Sequence, residues 1–531
     1  TDDYVRSIRL KVAQCYPYEG LSSIILYELY PAEQQRTEYE LEVLLQRGLK
    51  ECPDYIQGWI DFTKLFYDQK RYIKSAQCAL FGVNQVVEQS QKRKSKLRRL
   101  HVQLLNLQAL SLTRTNQVEE AEAIYNKVLN ELDQKNIDAI KGLGEIEFGR
   151  HNYTKARELY QRVLDINPSD ATSHGQVAWM HFLDHKYEEA IKCLNKAVEL
   201  DASQYIFHYR LGRCYWSLGG EYRTNKNFAQ TSFLTSAKLN PHYASSFTYL
   251  GMYFEEVAHD IERAIKCYLK AVGLNALEVE AGERVSELYA SRRQRTLLYH
   301  LLLDCTANNP RAKWAWKRLG FLQQALSKYQ DSTLSFQSAL RVDSRDALCW
   351  QGLADTYQRE GKYLAALKAY NRARELNPGL VYSIASAAYI HYLLQEYSDA
   401  RRTYEQAIHL TPHFITAYKG LAETTFQMAV NSQKDGLFVK SAHNLMKAIA
   451  TLRASSNYPC THMQSYWKLF GDICTFFANL PNESVIEAYS HYEATLASSN
   501  LPQFYRTSFD KRLKNRLDYL AMGSMSYQHL I

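Results

Sequence analysis

Apolar residues recur along most of this chain at intervals of three and four, the spacing that gathers them on one face of an α-helix. From Ala347 the pattern reads Trp350, Leu353, Ala354 and Tyr357, then Gly361, Tyr363, Ala366, Tyr370, Ala373 and Pro378. It predicts two amphipathic helices joined at a glycine and stopped by a proline, closing after 34 residues at Leu380. The same pattern restarts near Ile56, Val102, Ile137, Ala171, Tyr205, Ala244, Val279, Lys313, Ala347, Val381 and Ile415. The spacings are 46, 35, 34, 34, 39, 35, 34, 34, 34 and 34. A degenerate twelfth unit starts near Gln464 with Trp467, Phe470, Gly471 and Cys474.

This period and residue pattern are those of the tetratricopeptide repeat. The expected fold is all-α, a solenoid in which antiparallel helix pairs wind into a right-handed superhelix with a concave groove. Helix A of each unit carries a small residue at its eighth position: Gly144, Ala178, Gly212, Gly320, Ala354, Ala388 and Ala422 among them. Helix B carries Ala followed four residues later by an aromatic or Leu, as in Ala156/Tyr160, Ala190/Leu194, Ala229/Phe233 and Ala366/Tyr370. A missing side chain on A lets B approach closely. Pro168, Pro241, Pro378 and Pro412 should stop helix B. No unit covers its own apolar face, so stacking of neighbours folds the array.

Four stretches follow from this phase: a helical partial repeat over 1–55, a repeat with a basic linker over 56–101, a contiguous array over 102–448, and a degenerate repeat with a helical tail over 449–531. Extra residues fall at Gly219–Lys226 and near 431–439, where loops are expected. The basic tail of the linker contains Lys92, Arg93, Lys94, Lys96, Arg98 and Arg99. Such a run suits RNA, an acidic partner or a nuclear signal, and equally a solvated helix between two units. A second basic cluster is Lys511, Arg512, Lys514 and Arg516. The chain starts TDDYVRSIRL, without an initiator Met or a signal-peptide pattern, and stops without a capping repeat; a piece of a longer polypeptide is expected.

Composition changes this picture little. Eleven prolines and 22 glycines in 531 residues suit helices, and the 40 tyrosines fall largely on scaffold positions. The net charge of +8 is mild over this length and does not by itself call for nucleic acid. Ten cysteines never form CxxC and read as reduced core thiols of an intracellular protein. His174, His181 and His185 have a spacing that a metal could use, but lack the Glu of a metalloprotease helix and fall on repeat positions. Gly142 and Gly144 resemble half a dinucleotide loop with no strand before it. No P-loop, GxSxG, kinase or helicase signature is present, so no enzyme activity, cofactor or metal is expected. The Lys and Asn of a chaperone-tail clamp are replaced by Lys141 with Glu145 and Lys419 with Glu423, which disfavours a co-chaperone.

Particular strings go beyond the generic repeat: LGRCYWSLGGEYR at 211–223, FLTSAKLNP at 233–241, AKWAWKRLG at 312–320, AYKGLAETTFQMA at 417–429 and YWKLFGDICT at 466–475. Over about residues 100–480 these resemble the tetratricopeptide scaffold subunit of the superkiller complex. The resemblance implies a non-catalytic cytoplasmic scaffold that holds a DExH-box RNA helicase and WD-repeat subunits. It implies mRNA decay through the cytoplasmic exosome, with RNA contacted indirectly or weakly. Other readings are a scaffold of a ubiquitin ligase or another assembly, the repeat half of an enzyme such as a glycosyltransferase, and a direct RNA binder. Candidate partner-binding residues on the A-helix face are Arg213 and Trp216, one turn apart, and Tyr389 and Lys419 further on.

Overall fold

The computed structural model describes residues 38–51, 53, 55–89, 94–455, 464–481, 483–485 and 487–488. Among them every regular element is a helix. The chain divides into two compact units, Thr1–Asp260 and Ile261–Ile531. Each is an α-solenoid of tetratricopeptide helix pairs in which A packs on its own B and that B packs on the next A. In the first unit the pairs are Ile56–Asp68 with Tyr72–Gln89, Lys94–Arg114 with Val118–Lys127, Ile137–Gly149 with Tyr153–Ile166, Ala171–Leu183 with Tyr187–Leu200, and Tyr205–Leu218 with Ala229–Leu239. In the second they are Val279–Ser291 with Arg295–Asn308, Lys313–Ala325 with Tyr329–Val342, Ala347–Arg359 with Tyr363–Leu376, Val381–Leu393 with Tyr397–Leu410, and Ile415–Lys434 with Phe438–Ser455. A helices start at the residues that the periodicity selects, except that the helix expected at Val102 begins at Lys94.

What sets the helix spacing is a ring on B that fills the space left by small residues on A. A Cβ built on Gly212 would lie 2.7 Å from the Phe233 ring, and one on Gly144 would lie 2.8 Å from Tyr160. The sequence reading stops at this contact within a unit, whereas the structure adds a second one. The ring also presses on the sixth position of the next A helix, 2.2 Å for Gly142 against Tyr125 and 2.3 Å for Gly420 against Tyr404. Phe336 is held on both sides: Cβ atoms on Gly320 and Gly352 would lie 2.8 and 2.4 Å from it. Phe233 and Phe336 are fully buried.

The two turns of each unit have separate solutions. Between A and B, the fifteenth residue of the unit takes a left-handed conformation: φ is 61° at Lys70, 68° at Asn116, 63° at His151, 61° at His185, 59° at Arg293, 58° at Ser327, 63° at Gln395 and 76° at Gly361. Lys362 N then donates to Tyr357 O at 2.9 Å and Gly361 N to Gln358 O at 3.1 Å, closing a Schellman motif. Between B and the next A, an Asn or Asp side chain accepts from the backbone N–H two residues on. This occurs at Asp133, Asn167, Asp201, Asn240, Asn275, Asn309, Asp343 and Asn377. The junction is therefore made by these Asx turns, with proline present at only some of them.

Both expected insertions are helical. The Gly219–Lys226 stretch contains a one-turn helix, Gly220–Thr224. The extra residues near 431–439 lengthen A to 20 residues and B to 18 in place of a loop, and B runs on through Ser455. From Lys94 onward the basic run forms the first turns of Lys94–Arg114. The seven described cysteines are free thiols; burial pushes Cys214 and Cys349 up to about 12, so both stay protonated at neutral pH.

Two predictions follow from this packing. Gly212→Leu is expected to lower the thermal midpoint, at a cost of about 1–3 kcal/mol, while Gly149→Ala, with open space around it, is not; circular dichroism melts compare them. Ser327→Gly should stabilise by up to about 1 kcal/mol and raise the midpoint, and Gly361→Ala should destabilise by a similar amount and lower it, because only a residue without Cβ takes positive φ freely.

Candidate partner-binding groove

The A helices of the first unit line a groove of about 430 Å³ whose walls include Lys64, Asn106, Lys141, Glu145, Thr172 and Gln176. Apart from Tyr125 and Tyr160 of the B helices, the lining comes from the second, fifth, sixth and ninth positions of successive A helices, so a column of equivalent positions supplies each stripe of the surface. Ion pairs across neighbouring units hold this surface in place. Lys141 Nζ lies 2.7 Å from Asp170 Oδ1, and Lys317 Nζ lies 3.2 Å from Asp346 Oδ2 in the second unit. Each aspartate is also the N-cap of the helix that follows it: Asp170 accepts from Ser173 N at 2.8 Å and Asp346 from Cys349 N at 3.1 Å. Burial alone would raise the Asp170 carboxyl, but Lys141, Ser173 and Thr172 outweigh it and hold it down at about 2.

Glu145, which stands where a chaperone-tail clamp would have Asn, meets Arg114 at 3.1 Å. Lys419 lies 3.6 Å from Glu423 and 3.0 Å from Ser465 Oγ. Tyr389 is 40% exposed and stacks on Tyr392 with centroids 6.3 Å apart. Trp216 departs from its expected role as an open anchor. It is 9% exposed, with the Arg223 guanidinium 3.8 Å above its ring. Arg223 comes from the one-turn insertion helix and also pairs with Glu256. Arg213 sits among rings, 4.9 Å from the Phe182 centroid, 5.2 Å from Trp179 and 5.3 Å from Tyr249.

In the basic stretch, Lys92 and Arg93 lie outside the described residues, as do the side chains of Lys94 and Lys96. Arg98 donates to Leu132 O, fastening the π-helical turn Val128–Leu132 that ends the B helix Val118–Lys127. Arg99 is exposed. The Lys511–Arg516 cluster also lies outside the described residues.

The histidines have structural partners. His185 Nδ1 lies 2.8 Å from Tyr187 Oη, a contact repeated one unit earlier by His151 and Tyr153 at 2.9 Å. His174 Nε2 bonds Pro168 O at 3.0 Å, and His208, Trp316 and Trp350 make the equivalent bond at the fourth position of their units. His181 Nδ1 lies 3.1 Å from Glu189 Oε2, and burial lowers its pKa. Among the described residues no cluster of His, Cys, Asp or Glu could hold a metal ion, and no helix is long and apolar enough to cross a membrane.

Sequence comparisons agree with the helix pairs and extend them. Tetratricopeptide-repeat family models match residues 136–203 and 352–413. The chain is 30% identical to human superkiller complex protein 3 over 434 residues, 81% of this chain and 28% of that one. It is a relative of superkiller complex protein 3. Superkiller protein 3 of Schizosaccharomyces pombe is 28% identical over 399 residues, 72% of this chain and 28% of the relative. Tetratricopeptide repeat protein 37 of Xenopus laevis is 28% identical over 487 residues, covering 91% and 30%. The chain therefore spans under a third of the length of these relatives.

The Lys141–Asp170 pair gives a pH dependence with a defined sign. Because the folded carboxyl is held below its ordinary value, the pair stabilises in full above about pH 4 and loses that contribution as pH falls toward 2. In urea titrations at graded pH, Asp170→Asn should have a lower midpoint than the parent at neutral pH. The two midpoints should converge in strong acid.

Proposed function

We propose that this chain is a non-catalytic scaffold of a superkiller assembly, holding a DExH-box RNA helicase and WD-repeat subunits in the cytoplasm for 3′–5′ mRNA decay with the exosome. The observation that carries the reading is its similarity to superkiller complex protein 3 across 81% of its length, through both compact units. The chemistry agrees: the A-helix columns offer a mixed surface of Lys, Asn, Gln, Asp, Glu and Leu side chains, suited to an extended segment of another protein. Arg213, Tyr389 and Lys419 are contact candidates on that surface. Trp216 braces Arg223 and contributes through the insertion helix. Direct RNA binding is less favoured, because Arg98 already caps a helix and +8 is a weak field for a phosphate chain.

Affinity purification of the tagged chain from its own cells, followed by mass spectrometry, tests this. An RNA helicase and a WD-repeat protein recovered together, and retained after RNase treatment, are the expected outcome. Recovery of ubiquitin-ligase subunits in their place, or loss of all partners after RNase, would overturn it.

A further inference from the structure

We propose that Arg210 and Arg213 form a docking point for an acidic segment of a partner protein, with its carboxylates received on the edges of the two guanidinium groups. This rests on the reading of the A-helix face as the partner surface and names the chemistry of what binds there.

The two arginines stand three residues apart on Tyr205–Leu218, so they share a helix face. Several other arginines of these repeats carry a carboxylate: Arg114 meets Glu145, Arg157 meets Asp184, Arg292 meets Glu262 and Arg318 meets Glu287. Arg210 and Arg213 do not; among the described residues neither has an ion pair. Arg210 donates to Gly175 O at 2.8 Å and lies 5.1 Å from the Trp179 centroid. Arg213 is held by the rings of Trp179, Phe182 and Tyr249. Burial lowers the Arg210 pKa to about 10, with only tyrosines and Cys214 set against it.

Two guanidinium groups one turn apart, half-buried and without a counter-charge, repel one another and carry an unrecovered desolvation cost. A carboxylate placed between them removes both penalties. Each guanidinium has five N–H donors in a fixed fork, and Arg210 spends one of them on Gly175 O. The faces are occupied and the edges remain. That distinction decides against nucleic acid. Trp179 is stacked on Phe182 at 4.7 Å and 6° and is covered by both arginines, and Trp216 is capped by Arg223. A base would find no open ring, whereas a carboxylate needs only N–H edges.

The test uses the full chain and three probes: a fluorescent peptide of alternating Glu and Ser, its Gln counterpart, and single-stranded oligouridine. The Glu peptide is expected to bind, with affinity that falls as salt rises, and the Gln peptide is not. Arg213→Gln, checked by a thermal melt, should weaken the Glu peptide by about tenfold or more, and Arg213→Lys should weaken it less. Equal binding of the Glu and Gln peptides, an unchanged affinity in Arg213→Gln, or oligouridine that displaces the peptide and is itself lost in Arg213→Gln would overturn the proposal. Capture of the helicase and WD-repeat subunits is read separately. Intact capture with no peptide binding removes the acidic-segment inference alone, and peptide binding at Arg213 without those partners removes the scaffold assignment alone.

Discussion

One contact governs the geometry of both compact units: a planar ring, carried by most B helices, lodged where the A helices on either side lack bulk. Phe336 between Gly320 and Gly352 is the fullest instance. The ring belongs to two units at once, which makes the helix pair a poor description of the folding element. Half of its packing comes from the next unit along, as expected of a chain whose parts are stable only as neighbours. The tyrosine versions of this residue, Tyr125, Tyr160 and Tyr404, are all buried, and burial raises their pKa well above the ordinary phenol range. An excess of tyrosine that would suggest ligand recognition in another fold is here largely a packing device.

The helices were legible because a 34-residue period repeats its own signal, and a start missed in one unit is corrected by the next. The small eighth position was legible for the same reason. The sixth-position contact was not, since Gly142, Gly352 and Gly420 alternate in that column with Gln176 and Arg210. The turns were half legible. Gly361 announces itself, but His185 or Gln395 in a left-handed conformation does not, because the tertiary fit overrides local preference there. The extra residues near 431–439 were expected as a loop and instead lengthen two helices. Asn431–Lys434 carries no glycine or proline to stop the helix before Gly436.

The site was less legible than the fold. Arg213 stood out as a cation in a groove column, but its surroundings did not. Trp179 occupies the same column one unit earlier, and Tyr249 lies in the column of Arg210 one unit later. Aligning the units position by position brings these residues together; reading along a single helix separates them. The cover of Trp216 was not legible, because Arg223 comes from the inserted turn and has no counterpart in the repeat frame. The same insertion ties Arg223 to Glu256, so the unit most exceptional in sequence is also cross-braced within its own half of the chain.

At eight B-to-A junctions an Asx side chain accepts from the backbone N–H two positions on. That bond lies within the junction itself. A segment duplicated together with its Asn or Asp would bring its own hinge angle, and the chain could gain or lose whole segments without redesign of the connection. Growth by copying is thereby made mechanically simple, and divergence of the copied faces is left free to produce new surfaces.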